Sequence, residues 1–399
     1  MAASESGISG AIANPRTARI AVAAIFCVNG ALMATWFARI PDVKQQLGLS
    51  EGALSLALLC AAVGALIAQP TTGWAIGRLG SRILTSVLAI LFCAVVILPS
   101  ISPALPILML SLFVLGAING GLDVSMNAQA ALVERRYGRS IMNSFHALWS
   151  VGGLAGAALG GLAAGRGLPV AVHFAIGAGV GVLFMFVALR GLVADGPATD
   201  GDGPAFALPT RALLPMGIVA LCALICEGAI GDWGAIYLRE GLGSSAGLAA
   251  IGYAVFALMM AGGRFAGDWL ATRFGSAQIV RAGGMLVVAG IALALSLVDA
   301  PGIAIIGYGL IGAGVSCVFP LILSSAARTP GVAPGVGIAA MATAGYTGFL
   351  LGPPLIGGLA EVVTLRGSLG VLAIFGVLIV LLGSKVDGQG LTQAGSAAD

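Results

Sequence analysis

Few residues in this 399-residue chain have side chains able to do chemistry, and the most suggestive stand close together. In G-L-D-V-S-M-N at 121–127, Asp123 has Asn127 four residues after it and Asn119 four before it. On a helix these three share one face and form a polar stripe. The carboxyl can take up and release a proton and the amides can hydrogen-bond a polar solute; bonding to a neighbouring helix is the structural alternative. A second group lies in C-E-G-A-I-G-D-W-G at 226–234, where Glu227 and Asp232 are five residues apart among Gly228, Gly231 and Gly234. Five residues turn a regular helix by about 140°, so the two acids point apart unless the glycines unwind it. Glu227 is the one expected in a central cavity. His146, in M-N-S-F-H-A-L-W-S, could relay protons or simply donate to a neighbouring carbonyl. Trp36, Trp149, Tyr308 and Tyr346 could stack on a sugar-like or aromatic solute, with helix packing as the alternative.

The rest of the sequence says what must hold these groups. Hydrophobic residues make up 59% of the chain and charged ones 9%, against roughly half and a quarter in an average soluble domain. A bilayer span takes about 20 apolar residues, since the hydrocarbon core is about 30 Å thick. Spans are predicted at 18–39, 52–77, 83–101, 106–132, 142–164 and 169–191, then at 213–238, 247–269, 278–297, 302–327, 338–362 and 367–384. The fold class is therefore all-α integral membrane, with an N-terminal tail at 1–17 and a six-helix half over 18–191. A polar Asp-, Gly- and Pro-rich linker covers 192–212; a second half over 213–384 and a tail at 385–399 complete the chain. The apolar run after Arg19 is longer than a signal-peptide core and reads as an uncleaved first span.

Depth makes the acids significant. An ionisable group near the bilayer midplane costs at least about 2.5 kcal/mol and normally faces a cavity or a partner. Asp123 is nine residues from the end of its predicted span, about 14 Å deep at 1.5 Å per residue. No Lys or Arg is placed at matching depth, so protonation is the natural way to hold Asp123 and Glu227 in apolar surroundings; a cationic substrate is the other way. Asp268, Glu361 and Glu134, at helix ends, read as solvated. All six cysteines lie in apolar runs without metal-site spacing, and no ATP-binding loop or nucleophile constellation is present. Neither an enzyme nor a metal or organic cofactor is expected, and a net charge of +3 spread over loops does not suggest a nucleic-acid partner.

An even number of spans puts both termini on one side. Five of the nineteen basic residues (Arg39, Lys44, Arg166, Arg239 and Arg366) fall in loops on the other side and fourteen on the side of the termini. The positive-inside rule makes the latter cytoplasmic, in a cell inner membrane. The halves also repeat. Residues 73–82 overlay 268–277, Gly160–Ala163 overlay Gly357–Ala360, Gly116 overlays Gly312, and Asn29-Gly30-Ala31 overlays Glu227-Gly228-Ala229, all at an offset of 195 to 198. That overlay adds Asn29 to the candidate substrate contacts. Parallel repeats of this kind belong to transporters that rock one half against the other about a central site.

On these residues the whole chain resembles the major facilitator superfamily. G-W-A-I-G-R-L-G-S-R at 73–82 resembles its loop signature G-x-x-x-D-R-x-G-R-R: Gly73, Arg78, Gly80 and Arg82 match, while Gly77 stands where the acid belongs. The second turn keeps Arg273 and Gly275, with Thr272 at the acid's place. The resemblance implies that Arg78 and Arg273 act in gating. Within the superfamily, G-L-D-V-S-M-N is similar to the G-L-E-x-x-x-N of bacterial fucose:proton symporters, which implies proton coupling at Asp123; the acid those symporters place in their first helix is Phe37 here. The expected function is a monomeric, proton-coupled secondary transporter of a small organic solute, with a sugar-like solute as one candidate, working by alternating access, with Asp123 and Glu227 carrying protons. Asn29, Trp36, Asn119, Asn127, His146, Trp149, Asp232, Tyr308 and Tyr346 are the expected substrate contacts. The alternatives are an exporter of cationic metabolites or drugs and, from another class, a membrane sensor or enzyme.

Overall fold

The computed structural model describes residues 14–138, 141–195, 207–297, 299–332 and 334–386. Most of the two predicted tails and the centre of the predicted linker therefore lie outside the described residues. The described chain folds into twelve long apolar helices: α1 Pro15–Leu47, α2 Glu51–Leu79, α3 Ser81–Ile101, α4 Leu105–Tyr137, α5 Met142–Gly165 and α6 Val170–Gly191. The second set is α7 Leu214–Gly241, α8 Ala246–Phe274, α9 Ser276–Ala294, α10 Pro301–Ala327, α11 Pro334–Val363 and α12 Leu365–Lys385. All twelve are long and apolar enough to cross a bilayer.

The repeat is visible in how helices start, stop and touch. Ser50 caps α2 by accepting from the Ala53 amide, and Ser245 caps α8 by accepting from that of Leu248. The turns after those helices pass through Gly80 (φ 81°) and Gly275 (φ 85°), where any side chain would be strained. Helices α1 and α5 pack together as do α7 and α11, and α2 with α4 as do α8 with α10. The approach is close because glycines sit in the seams. A Cβ on Gly116 would fall 1.9 Å from the Ala61 carbonyl oxygen, and one on its repeat mate Gly312 would fall 2.5 Å from that of Phe256. Along α5, Gly152 and Gly156 lie against the Cys27 and Ala31 carbonyls of α1, while Gly161, one step round, faces Ala250 of α8. The glycine rows on α5 thus bring it against its own half on one face and the other half on the next.

Two sequence expectations need correction. Helix α1 runs through Pro41 to Leu47, so Arg39 and Lys44 are helical and buried instead of lying in a loop; the charges are tolerated because each has a carboxylate partner. Glu134 is not simply solvated, since its carboxylate accepts from the Ile141 and Met142 amides at the start of α5 (2.7 Å each). Glu361 is exposed, as expected, and in addition accepts from the Gly52 amide of α2 at 2.6 Å, joining the two halves.

Candidate functional site

A cavity of about 330 Å³ lies between the halves, at the lower end of the roughly 300–1,000 Å³ usual for small-molecule sites. Its wall draws on α1 (Asn29, Trp36, Phe37), α4 (Asn119, Asp123), α5 (His146, Trp149), α7 (Glu227, Asp232), α8 (Tyr253, Arg264), α10 (Phe319) and α11 (Tyr346, Phe349). Most of the polar and aromatic candidates from the sequence meet here.

They form three polar groups. In the first, the Trp149 indole N–H donates to Asn29 Oδ1 and Asn29 Nδ2 donates to Asn119 Oδ1, both at 2.8 Å, a chain from α5 through α1 to α4. The second is centred on Asp123. Asn127 Nδ2 donates to its Oδ1 at 3.1 Å, and the Tyr346 hydroxyl donates to Oδ2 at 3.2 Å from the opposite half. In the third, Arg264 Nη1 donates to Ser150 Oγ at 2.9 Å and Nη2 lies 3.4 Å from Glu227 Oε1, with both side chains about 15% exposed. His146 adjoins this last group through a small recess it shares with Arg264, and its ring stands edge-on to Phe26.

Arg264 overturns the expectation that no cation lies at the depth of the acids. Its signal was present in A-G-G-R-F at 261–265, a charge inside an apolar run, found by the same test that singled out Asp123. Glu227 and Asp232 both line the cavity although α7 stays helical through both. No unwinding is needed, because α7 is flanked by α1, α8 and α11 and the cavity reaches round more than one of its faces. Two expected contacts are elsewhere. Tyr308 is fully buried away from the cavity wall, its hydroxyl donating to the Gly234 carbonyl at 3.0 Å and its ring packed on Gly234 and Gly252. Asn127 supports Asp123 from behind the lining and also donates to the Asp123 carbonyl at 2.8 Å.

On the side of the α1–α2 loop the halves are tied by ion pairs. There Asp42 pairs with both Arg39 and Arg239, and Lys44 pairs with Glu51 and Glu240, tying α1 and α2 to the end of α7. Toward the termini the halves are joined at Ser150–Arg264 and Asp123–Tyr346. Arg78 and Arg273, the expected gating pair, are exposed at that end, and Arg78 lies 4.2 Å over the Trp74 ring. The acid missing at Gly77 has a neighbour from another element. Asp195, after α6, accepts from the Ser81 amide and hydroxyl (2.6 Å each) and from the Arg82 amide (3.0 Å). Buried Gln129 of α4 steadies that segment through both the amide and the carbonyl of Val193.

A model of the Major Facilitator Superfamily matches residues 21–346. An uncharacterised transporter, y4wD, of Sinorhizobium fredii is 36% identical over 367 residues, covering 90% of this chain and 96% of the relative. The membrane protein MosC of Rhizobium meliloti is 32% identical, covering 90% and 88%. Among solved structures, the nucleoside transporter NupG superposes with a TM-score of 0.72 at 12% identity, covering 93% of this chain and 98% of that one. A bacterial homologue of the lysosomal transporter Spinster, inward-facing and occupied, gives a TM-score of 0.69 at 16% identity, covering 92% and 95%.

Proposed function

The chain belongs to the major facilitator superfamily, a membrane transporter and not an enzyme, and we propose that it is a proton-coupled secondary transporter of a small organic solute in which Asp123 carries the coupled proton. The observation behind this is the placement of Asp123: a carboxyl in the wall of a cavity between the halves, bonded across the gap to Tyr346. Protonation removes its charge and turns one oxygen into a donor, so proton binding alters a bond that spans the two moving parts. The likeness of G-L-D-V-S-M-N to the fucose:proton motif supports the same role. The Asn29–Asn119–Trp149 chain offers amides and an indole face suited to a polar, ring-containing solute.

Glu227 is given a second role by its partner. Held by Arg264, it is a charge-paired strut between α7 and α8 whose link to Ser150 reaches the other half. Seen this way the coupling duty falls on Asp123, with Glu227 and Arg264 setting the field around it. In alternating access, the ion-paired side is the closed exterior and the cavity communicates with the cytoplasm. The excess of basic residues on the side of the termini supports that orientation in the inner membrane; moving Arg264 into the membrane takes one from that count and leaves the bias standing. The chain is proposed to act as a monomer.

The test is Asp123→Asn, which keeps the shape and mimics the neutral acid. With a solute found by ligand-stabilisation screening of the purified protein, wild type in proteoliposomes moves protons with solute. The variant retains solute exchange and loses the pH change. Proton movement at the wild-type ratio in Asp123→Asn would refute the assignment.

A further inference from the structure

The cavity wall holds three carboxyls and one guanidinium, and two of the carboxyls are already served. Glu227 has Arg264, and Asp123 receives hydrogen bonds from Asn127 and Tyr346. Asp232 has neither. Among the described residues it accepts no hydrogen bond and pairs with no cation, although it lies at the cavity wall. An ionised carboxyl at an apolar cavity wall without a partner is costly, and the cost is relieved either by taking up a proton or by a cation that binds beside it.

The surroundings specify the match. Asp232 follows Gly231, whose absent Cβ would sit 3.6 Å from the Phe37 ring. Tyr253 packs against Phe37 with ring centroids 5.2 Å apart. Trp36 and Phe349 line the same cavity, and the Phe349 ring presses on α7 at Gly228, one turn from Asp232. A carboxylate set among aromatic rings recognises an ammonium group: the ring faces attract the cation and keep water away while the carboxylate balances its charge. A neutral hydroxyl would leave the carboxylate uncompensated, and an anion would meet an excess of like charge. Arg264 cannot serve Asp232 without abandoning Glu227 and Ser150.

We infer that Asp232 is the anchor for a positively charged amine on the solute, which makes the substrate class organic ammonium compounds small enough for the 330 Å³ cavity. This rests on the reading of the cavity as the transport site. It does not require Asp123 to carry the proton.

The experiment is equilibrium binding to the purified full chain without any gradient, read by tryptophan fluorescence, since Trp36 and Trp149 line the cavity, and by thermal shift. The probes are two matched pairs: choline with 3,3-dimethylbutan-1-ol, and glucosamine with glucose. The charged member of at least one pair is expected to bind saturably and at least about tenfold tighter than its neutral partner. In Asp232→Asn that preference collapses; in Asp232→Glu it is retained. The inference is overturned if neither cation is preferred by the wild type, an arm that needs no variant to fold. It is equally overturned if the preference survives in Asp232→Asn. Failure of proton coupling in Asp123→Asn leaves this binding comparison untouched, so the two readings fall separately.

Discussion

Replacing Arg264 with methionine tests the electrostatics of the cavity most directly. The guanidinium stands 3.4 Å from Glu227, with both side chains about 15% exposed. At an effective dielectric of 20 the attraction is about 5 kcal/mol, part of which is offset by the desolvation both groups undergo. Removing one partner of a buried pair typically costs about 3–5 kcal/mol, because the survivor's charge is left uncompensated. Contact with a polar cavity moderates this, so about 3 kcal/mol is expected for Arg264→Met and a similar loss for Glu227→Gln, which strands the guanidinium instead. The double variant, with neither charge, should recover about a third to a half of the summed loss, a coupling of about 2–3 kcal/mol between neighbours. The assay is a double-mutant cycle on purified protein, following unfolding midpoints in one detergent at one pH. Additive single effects, with no recovery in the double variant, would refute the pairing and return Glu227 to the list of free proton carriers.

Reporter fusions within 192–212 and after Lys385 should both report cytoplasm; an exterior signal from either would sink the proposed orientation. Gly152→Ala places a Cβ 2.0 Å from the Cys27 carbonyl oxygen, whereas Gly165→Ala meets nothing within 4 Å. The first should lower the yield of folded protein sharply and the second should not, as read by size-exclusion profiles. Asp195→Ala strips three hydrogen bonds from the start of α3 and is expected to cost about 1–2 kcal/mol in thermal unfolding; an unchanged midpoint would show that water caps α3 equally well. Arg78→Ala loses only the stacking on Trp74 and should reduce transport by less than about threefold. Complete loss with normal folding would reveal a partner that forms in another conformation.

The twelve helices were legible because each apolar run exceeds the length a bilayer demands, and the halves were legible because glycines at a constant offset mark equivalent seams. Helix ends were less so. At α1 the sequence offers Arg39, Pro41, Asp42 and Lys44 in succession, the signature of a loop by composition, yet the helix continues because those charges neutralise one another and those of α7 across the halves. No local pattern carries that information, since the partners lie 196 and 197 residues away. In the cavity, residue type and depth identified Asp123, Glu227 and Asp232, and the same criterion applied to bases identifies Arg264. What type and depth leave out is pairing. The bond from Tyr346 to Asp123 joins residues 223 apart, and nothing in the neighbourhood of either announces the other. Tyr308 marks the opposite limit: an aromatic with a polar tip fits a binding site by composition, but its hydroxyl is spent on the Gly234 carbonyl, and only the packed structure distinguishes the two uses.

The energetics of the closed face bear on the proposed cycle. A joint that opens on every turnover must hold without being deep, and the ions of the α1–α2 side meet that condition. Of the groups that pair across the halves, Asp42, Arg239 and Glu240 are 17%, 22% and 42% exposed, so water can replace their partners as the pairs part, while the buried Arg39 and Lys44 (4% and 9%) keep Asp42 and Glu51 within their own half. Partly exposed pairs of this kind contribute about 1 kcal/mol apiece, and the cluster as a whole favours closure by an amount comparable with what solute or proton binding can reverse. Had the same charges been fully buried, parting them would strand ions in an apolar seam and the face would stay shut. The glycine row of α5 complements this by keeping backbones close along α8, so that the halves can pivot on small residues without a long side chain having to withdraw. It follows that removing one member, as in Glu240→Gln, should bias the population toward opening on that face while leaving folding intact. Accessibility of Ser55→Cys, a position 3% exposed and packed against Gly357 of the opposite half, to a membrane-impermeant thiol reagent, in a background with the native cysteines replaced, should rise in Glu240→Gln. Unchanged labelling would mean that the apolar contacts of α5 with α8 and α2 with α11 hold the face closed on their own.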